Sequence, residues 1–521
     1  MQPVPRTSAA LPARDRHASR RRRVAAVLAA LLVTTAPGAV VAADRPVAVI
    51  VDDDGRAGPA GCDGGLPGSA ATTIGAAVDD ARPGTTIRVC PGTYPPVAIV
   101  RRPGIAIVAT VPWRATILTA GGPGPVHAGI EVAGSDGTRI SGLRILHRAY
   151  DPDRRLGRCR ALSAGIHVHG SRAVVLRAVR VRAVGPGTLD PRCGMTFGIV
   201  AGTPGLLAPP AGAAVPSGAG AGAADPLATE VTVAWSLVAD HLLGGIVAVS
   251  TVRTDGPRTR TGPTRALLLR DSVRFFHPAA RACDGPARAP GAVRATGAMP
   301  DPVSAAGRLR AGFAALLPAG VACLQEAAGV YLGAGVADSP IPGASGRVVG
   351  VRVLSAGDGM GGTDRDPRGD AVQLAGIVLA DPAHRAGATA VVRARVDGSL
   401  AGIVAVDAAG ARIARSRATG GLVGIHVADT VGAALTGTVA TANDAGIVLT
   451  DALLSVAGAL PGDGLLRTAD VMVLRNDARG NRTVACADET AGAGTAGTAN
   501  TWTANRGGRG AVRPVGICAA R

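Results

Sequence analysis

Three short stretches decide the fold: Gly402-Ile403-Val404, Gly424-Ile425-His426-Val427 and Gly446-Ile447-Val448-Leu449. Their isoleucines stand 22 residues apart. The same element, a glycine followed by Ile or Val, one variable residue and an aliphatic, recurs upstream at Gly376-Ile377, Gly329-Val330, Gly245-Ile246, Gly165-Ile166 and Gly129-Ile130. The step from Ile377 to Ile403 is 26 residues and that from Ile130 to Ile166 is 36, as expected where a surface turn has grown. Ten residues after the key position comes a second aliphatic: Ile140, Leu176, Ile413 and Leu435. In the 26-residue repeat its counterpart, Val391, arrives four later, after the extra residues around Asp381-Pro382-Ala383-His384.

Short alternating segments at a fixed period near 22 describe a parallel β solenoid, since a helical solenoid needs about 33 or more residues per unit. Alternate side chains of each strand point inward, so Ile130, Ile166, Ile403, Ile425 and Ile447 are expected in one interior column. The glycine before each is expected to permit a sharp bend into the strand. Composition agrees. Aromatics are 2% and hydrophobics 47%, with 74 glycines, which suits thin layers that each bury little and depend on their neighbours. The expected domain is a single right-handed parallel β-helix over residues 44–521, with a helical cap at its start, loop insertions at about 202–228 and 251–327, and a disulfide-closed cap at 484–521. A helix is expected near Val303–Leu317 inside the longer insertion.

Residues 1–43 read as a signal peptide: Arg20–Arg23 as the positive flank, Val24–Ala36 as the apolar stretch, and Val41-Ala42-Ala43 as the cleavage site. The apolar stretch is too short to span a bilayer, so no transmembrane anchor is expected after cleavage. All eight cysteines follow the cut: Cys62, Cys90, Cys159, Cys193, Cys283, Cys323, Cys486 and Cys518. An even count in an exported chain implies disulfides. They fall into four well-separated pairs, so the economical pairing is sequential: 62–90, 159–193, 283–323 and 486–518. With no CxxC, a zinc site of the cysteine type is not expected.

The formal charge is +18, carried entirely by arginine. The arginines are scattered, about one per strand-like segment, with no dense run after Arg23, and the scarcity of aromatics removes a stacking platform for single strands. Nucleic acid is therefore not an expected partner.

Several motifs carry a family resemblance. Val51-Asp52-Asp53-Asp54-Gly55, Cys62, Thr73-Ile74-Gly75-Ala76-Ala77-Val78, Pro83-Gly84-Thr85 and Cys90-Pro91-Gly92-Thr93-Tyr94 resemble the opening of pectate-lyase-like right-handed β-helix proteins. There a short helix, here Ile74–Ala81, caps the solenoid. The tail, with Cys486, Gly494 to Trp502, Asn505 and Gly516-Ile517-Cys518, resembles secreted actinobacterial members. The resemblance implies the fold and a link to polysaccharide. It does not imply one chemistry, because this superfamily holds lyases, glycoside hydrolases, esterases, epimerases and proteins without activity. Its catalytic motifs do not carry over: Asp79-Asp80 lies on the capping helix, and Asp381-Pro382-Ala383-His384 only echoes an epimerase signature.

Three groups of residues are candidates for function. In the Gly-Ile-x-Val strand x faces outward, which puts Glu131 and His167 one coil apart with His169 two residues along. A carboxylate beside imidazoles is an acid/base arrangement for sugar chemistry; the alternative is a solvated polar pair without a role. Tyr331, in the same outward column, is a candidate sugar-stacking residue. Asp381, Asp407, Asp429 and Asp451 each follow the key Ile by four residues. Turn capping explains them, and calcium bridging would relieve their mutual repulsion. The leading expectation is a secreted or cell-envelope monomer that binds extracellular polysaccharide without catalysis. The alternatives are a polysaccharide lyase, hydrolase or epimerase centred on Glu131, His167 and His169, and a structural or adhesive surface protein.

Overall fold

The computed structural model describes residues 48–58, 61–63, 68, 70–119, 126–148, 162–184, 196–203, 228–241, 244–255, 258–275, 324–333, 344–355, 372–380, 389–451, 467–491, 499–508 and 510–519. All belong to the unit Val47–Arg521. The signal-peptide stretch, Cys159, Cys193, Cys283, Cys323, Asp381 and the helix expected near 303–317 lie outside the described residues.

Among the described residues the strands form three parallel sheets, of 13, 12 and 10 strands, which the chain visits in rotation through most of its coils, and a two-stranded antiparallel hairpin. We call them A, B and C. One coil runs A, C, B: Arg412–Ala414, Arg417–Thr419 and Val423–Ala428, and then Ala434–Thr436 reopens sheet A. The molecule is a parallel β-helix.

Sheet B carries the glycine–isoleucine strands. Ile130 pairs with Ile166, Ile166 with Ile199, Ile403 with Ile425, Ile425 with Ile447 and Ile447 with Cys486. All are buried in one continuous core, each burial contributing roughly 1.5–3 kcal/mol before the entropic cost. The second aliphatic column forms the inner face of sheet A, with Ile140 against Leu176, Val391 against Ile413 and Ile413 against Leu435. Sheet C, with Ile145, Val181, Val238, Val273, Val353 and Val396 in register, closes the third side.

The glycines act differently from the expectation. Gly165 and Gly402 are absent from the residues with positive φ. What they lack is room: a Cβ on Gly402 would stand 2.5 Å from the Gly424 carbonyl oxygen, and one on Gly165 would stand 2.8 Å from that of Gly198. Each glycine lets the next coil's backbone close in. A bend is not the reason.

Two further differences concern the long coils. A repeat at Gly198-Ile199-Val200 belongs to the column, in the strand Thr196–Ala201. The span 251–327 is no single insertion. Thr251–Asp255 and Arg258–Gly262 pair as an antiparallel hairpin, after which Thr264–Leu269 and Ser272–Phe275 rejoin sheets A and C.

At the first coil the helix Ile74–Asp80 buries Ile74, Ala77 and Val78 on the core, and Thr73 caps it by accepting from Ala76 N at 3.1 Å. Cys62–Cys90 and Cys486–Cys518 are disulfides. Near the far end, stacked asparagines satisfy corner amides. Asn505 Oδ1 accepts from Asn476 N at 2.9 Å and from Asn476 Nδ2 at 3.0 Å.

Candidate functional site

The strands Val126–Ala133 and Leu162–His169 are neighbours in sheet B, with Glu131 directly opposite His167. Glu131 nevertheless reaches diagonally, its Oε1 standing 3.1 Å from His169 Nε2. Diagonal cross-strand neighbours are within reach of long side chains. The His167 and His169 rings lie 4.6 Å apart and tilted by 32°. His169 and Glu131 are partly open to solvent, with side-chain exposures of 30% and 43%, whereas His167 is buried.

These environments set the charges. The hydrogen bond from His169 holds the Glu131 carboxyl below the usual carboxylate range, against the opposing effect of burial. Burial, reinforced by the neighbouring His169, pushes His167 down to about 4. His167 is thus a neutral imidazole at pH 7. Its Nε2 lies 2.9 Å from the Gly202 carbonyl. A carbonyl only accepts, so Nε2 carries the proton and Nδ1 keeps the lone pair. That Nδ1 is buried and meets no hydrogen-bond partner.

From this cluster onward the outward column of sheet B turns apolar. Val200, Val247, Val378, Val404 and Val448 are all buried on this outer side, in clusters separate from the main core. Tyr331 is half-buried and packs against two of these clusters. His426 interrupts the strip. It is buried, with Nε2 at 2.9 Å from Thr450 Oγ1, and desolvation pushes it down to about 4.

Asp407 and Asp429 occupy successive turns out of sheet B, both buried and both with left-handed backbone, at φ 49° and 47°. Aspartate tolerates that conformation better than most residues. Asp451, one coil on, accepts from Thr468 N at 3.0 Å and from Ala491 N. Among the described residues, the one group of three or more ligand-type side chains close enough to share a cation is Glu131, His167 and His169.

Sequence reading missed a second feature. The arginines that look scattered along the chain are brought into columns by the coil period. At the corner between sheets A and C, residues two past the sheet A aliphatic stack in successive coils: Trp235, Arg270, Gly350, Arg393 and Arg415, each N–H bonded to the coil beyond. Two residues further, on sheet C, Arg352 pairs with Arg395 and Arg395 with Arg417. All six arginines named or paired here are exposed. Among them Arg395 has a carboxylate partner, Asp397, at 2.7 Å. Trp235 is 53% exposed and has the Arg270 guanidinium 4.7 Å from its ring. The signal was present in the repeat: Leu268, Val391 and Ile413 are each followed by arginine at the second position.

No protein-family model matches the chain, and no curated protein matches it. Among solved structures it is similar to the A-module of the mannuronan C-5 epimerase AlgE4 of Azotobacter vinelandii, at 10% identity and TM-score 0.42, covering 82% of this chain and 88% of the module. It is also similar to PfbA, a surface adhesin of Streptococcus pneumoniae, at 10% identity and TM-score 0.37, over 69% of this chain and 71% of the adhesin. Pectate lyase Pel9A shares 11% identity at TM-score 0.32, over 78% and 74% of the two chains. At these identities and TM-scores the likenesses carry neither an activity nor a substrate to this chain.

Proposed function

We propose that this protein is an extracytoplasmic binder of anionic polysaccharide, which it holds along the arginine corner between sheets A and C. The observation that carries the reading is the ladder Arg352–Arg395–Arg417, flanked by Arg270, Arg393 and Arg415. Rungs of a parallel sheet are about 4.8 Å apart. Unit charges at that spacing repel by about 1 kcal/mol per pair even in water, a cost that a polymer carrying regularly spaced acid groups would remove. Guanidinium groups also suit carboxylate and sulfate oxygens, through paired hydrogen bonds. Exposed Trp235 in the same column offers an apolar face to a sugar ring. The disulfides at both ends of the described solenoid favour an oxidising compartment. Among the described residues no helix is long and apolar enough to cross a membrane.

The test is binding of polyuronate, sulfated and neutral glycans to the purified protein at rising sodium chloride. Anionic glycans should bind, weaken as salt rises, and lose roughly 30-fold or more in affinity in the Arg352→Glu/Arg395→Glu/Arg417→Glu variant. Equal binding of neutral glycans, or an unchanged affinity in the variant, would contradict the reading. Tighter binding to duplex DNA would reassign the ladder to nucleic acid.

A catalytic reading has its own observation, the ionised Glu131 beside His169 at a partly open position. It predicts cleavage or epimerisation of a bound glycan that Glu131→Gln abolishes while binding stays.

A further inference from the structure

We propose that Glu131, His167 and His169 form a binding site for one divalent transition cation of the zinc class. Each of the three offers a ligand atom within 4.8 Å of the others. Two imidazoles and one carboxylate suit borderline cations such as Zn²⁺, whereas calcium takes six or more oxygens. Donor atoms about 2.0–2.2 Å from a tetrahedral cation stand roughly 3.3 Å from one another. The Glu131 and His169 atoms are already 3.1 Å apart, so the third donor closes in by about 1.5 Å at most.

The independent observation is the state of His167. A buried imidazole nitrogen with no partner forfeits on the order of 1–3 kcal/mol, and His167 Nδ1 is one. Its other nitrogen donates to the Gly202 carbonyl. A bond of that kind fixes the tautomer of metal-bound histidines and raises the basicity of the other ring nitrogen. The ring is thereby oriented without a cation, so little rearrangement is asked of it. Glu131 and His169 are partly exposed, which gives a cation an entry path and leaves coordination positions open to water. Metal ligands must be unprotonated, so affinity should fall on acidification.

The experiment uses the full, tag-free chain stripped with a chelator, then titrated calorimetrically with Zn²⁺ and separately with Ca²⁺ at pH 7.5. Expected are one Zn²⁺ per chain with micromolar or tighter affinity, a rise in Tm on loading, and no response to Ca²⁺. His169→Ala and Glu131→Gln lie at the partly open side and should leave the fold intact, checked by circular dichroism. Each should weaken Zn²⁺ binding at least tenfold. His167→Ala should also abolish it, and the two milder variants keep the test valid if that buried change unfolds the coil. Absence of stoichiometric Zn²⁺ uptake, or uptake undiminished in His169→Ala and Glu131→Gln, would overturn the proposal.

Discussion

His426 and His167 hold the same position in sheet B strands many coils apart, and burial does the same to both. Each is pushed down to about 4 from an ordinary value near 6.5. A depressed histidine value means that the unfolded chain binds the proton first. Stability from these groups is therefore present above about pH 6.5 and is lost as pH falls toward about 4, by on the order of 3 kcal/mol per histidine at most. Asp271 works the other way. Burial pushes its carboxyl up to about 7, although its oxygens accept from Ser236 N and Leu269 N. Its contribution is present at low pH and falls as pH rises from near 4 to about 7. The two effects overlap, so a single variant separates them. His426→Gln should flatten the loss of stability between pH 6.5 and 4 measured by urea unfolding, relative to the parent chain. An unchanged slope would mean that His426 is charged in the folded protein.

At the scale of the strand, the repeat was legible because two of the three sheets advertise themselves. Ile403, Ile425 and Ile447 keep an even step, and the aliphatic ten residues later keeps it too. Sheet C does not show this way. Its strands, such as Arg395–Asp397 and Arg417–Thr419, are three residues long with one inward side chain, Val396 or Ala418. A single small apolar residue between polar ones gives no period to read. For the same reason the arginine that precedes it looks scattered along the chain, although the coil turns these residues into a ladder. Gly198-Ile199 does not stand out in the sequence because the repeat spacing is irregular there, with steps of 33 and 47 residues on its two sides. The Glu131–His167 register could be read from the 36-residue step, but the diagonal bond to His169 depends on side-chain reach, which spacing does not encode. The role of the glycines follows from packing as well. Gly402→Ala places a methyl group against the Gly424 carbonyl and the Ala418 side chain, and overpacking of this kind costs about 1–3 kcal/mol. Gly75→Ala, in the capping helix with nothing within 4 Å of a Cβ, should gain up to about 1 kcal/mol. Chemical denaturation midpoints shifting in opposite directions would bear this out, and equal shifts would not.

Over the whole molecule, stacking turns a weak local pattern into two continuous surfaces. Inside, one core runs from Val51 to Cys518 with hardly an aromatic side chain in it, because each layer needs only a thin filling supplied by Ile, Val and Ala. Outside, exposed arginines 22 to 43 residues apart in the chain become direct neighbours in a column. Function as proposed depends on that geometry more than on any single side chain, since each rung alone is an ordinary solvated arginine. The sheet C column runs through Arg144, Arg180, Leu237, Ser272, Arg352, Arg395 and Arg417, one coil per step. Six steps of about 4.8 Å put Arg144 and Arg417 about 29 Å apart. Spin labels on the Arg144→Cys/Arg417→Cys variant, read by pulsed dipolar spectroscopy, should give a narrow distribution centred near that distance, within the reach of the label arms. A broad distribution, or a centre displaced by three or more rungs, would mean that the coils do not stack one per repeat, and the arginine ladder would fall with them.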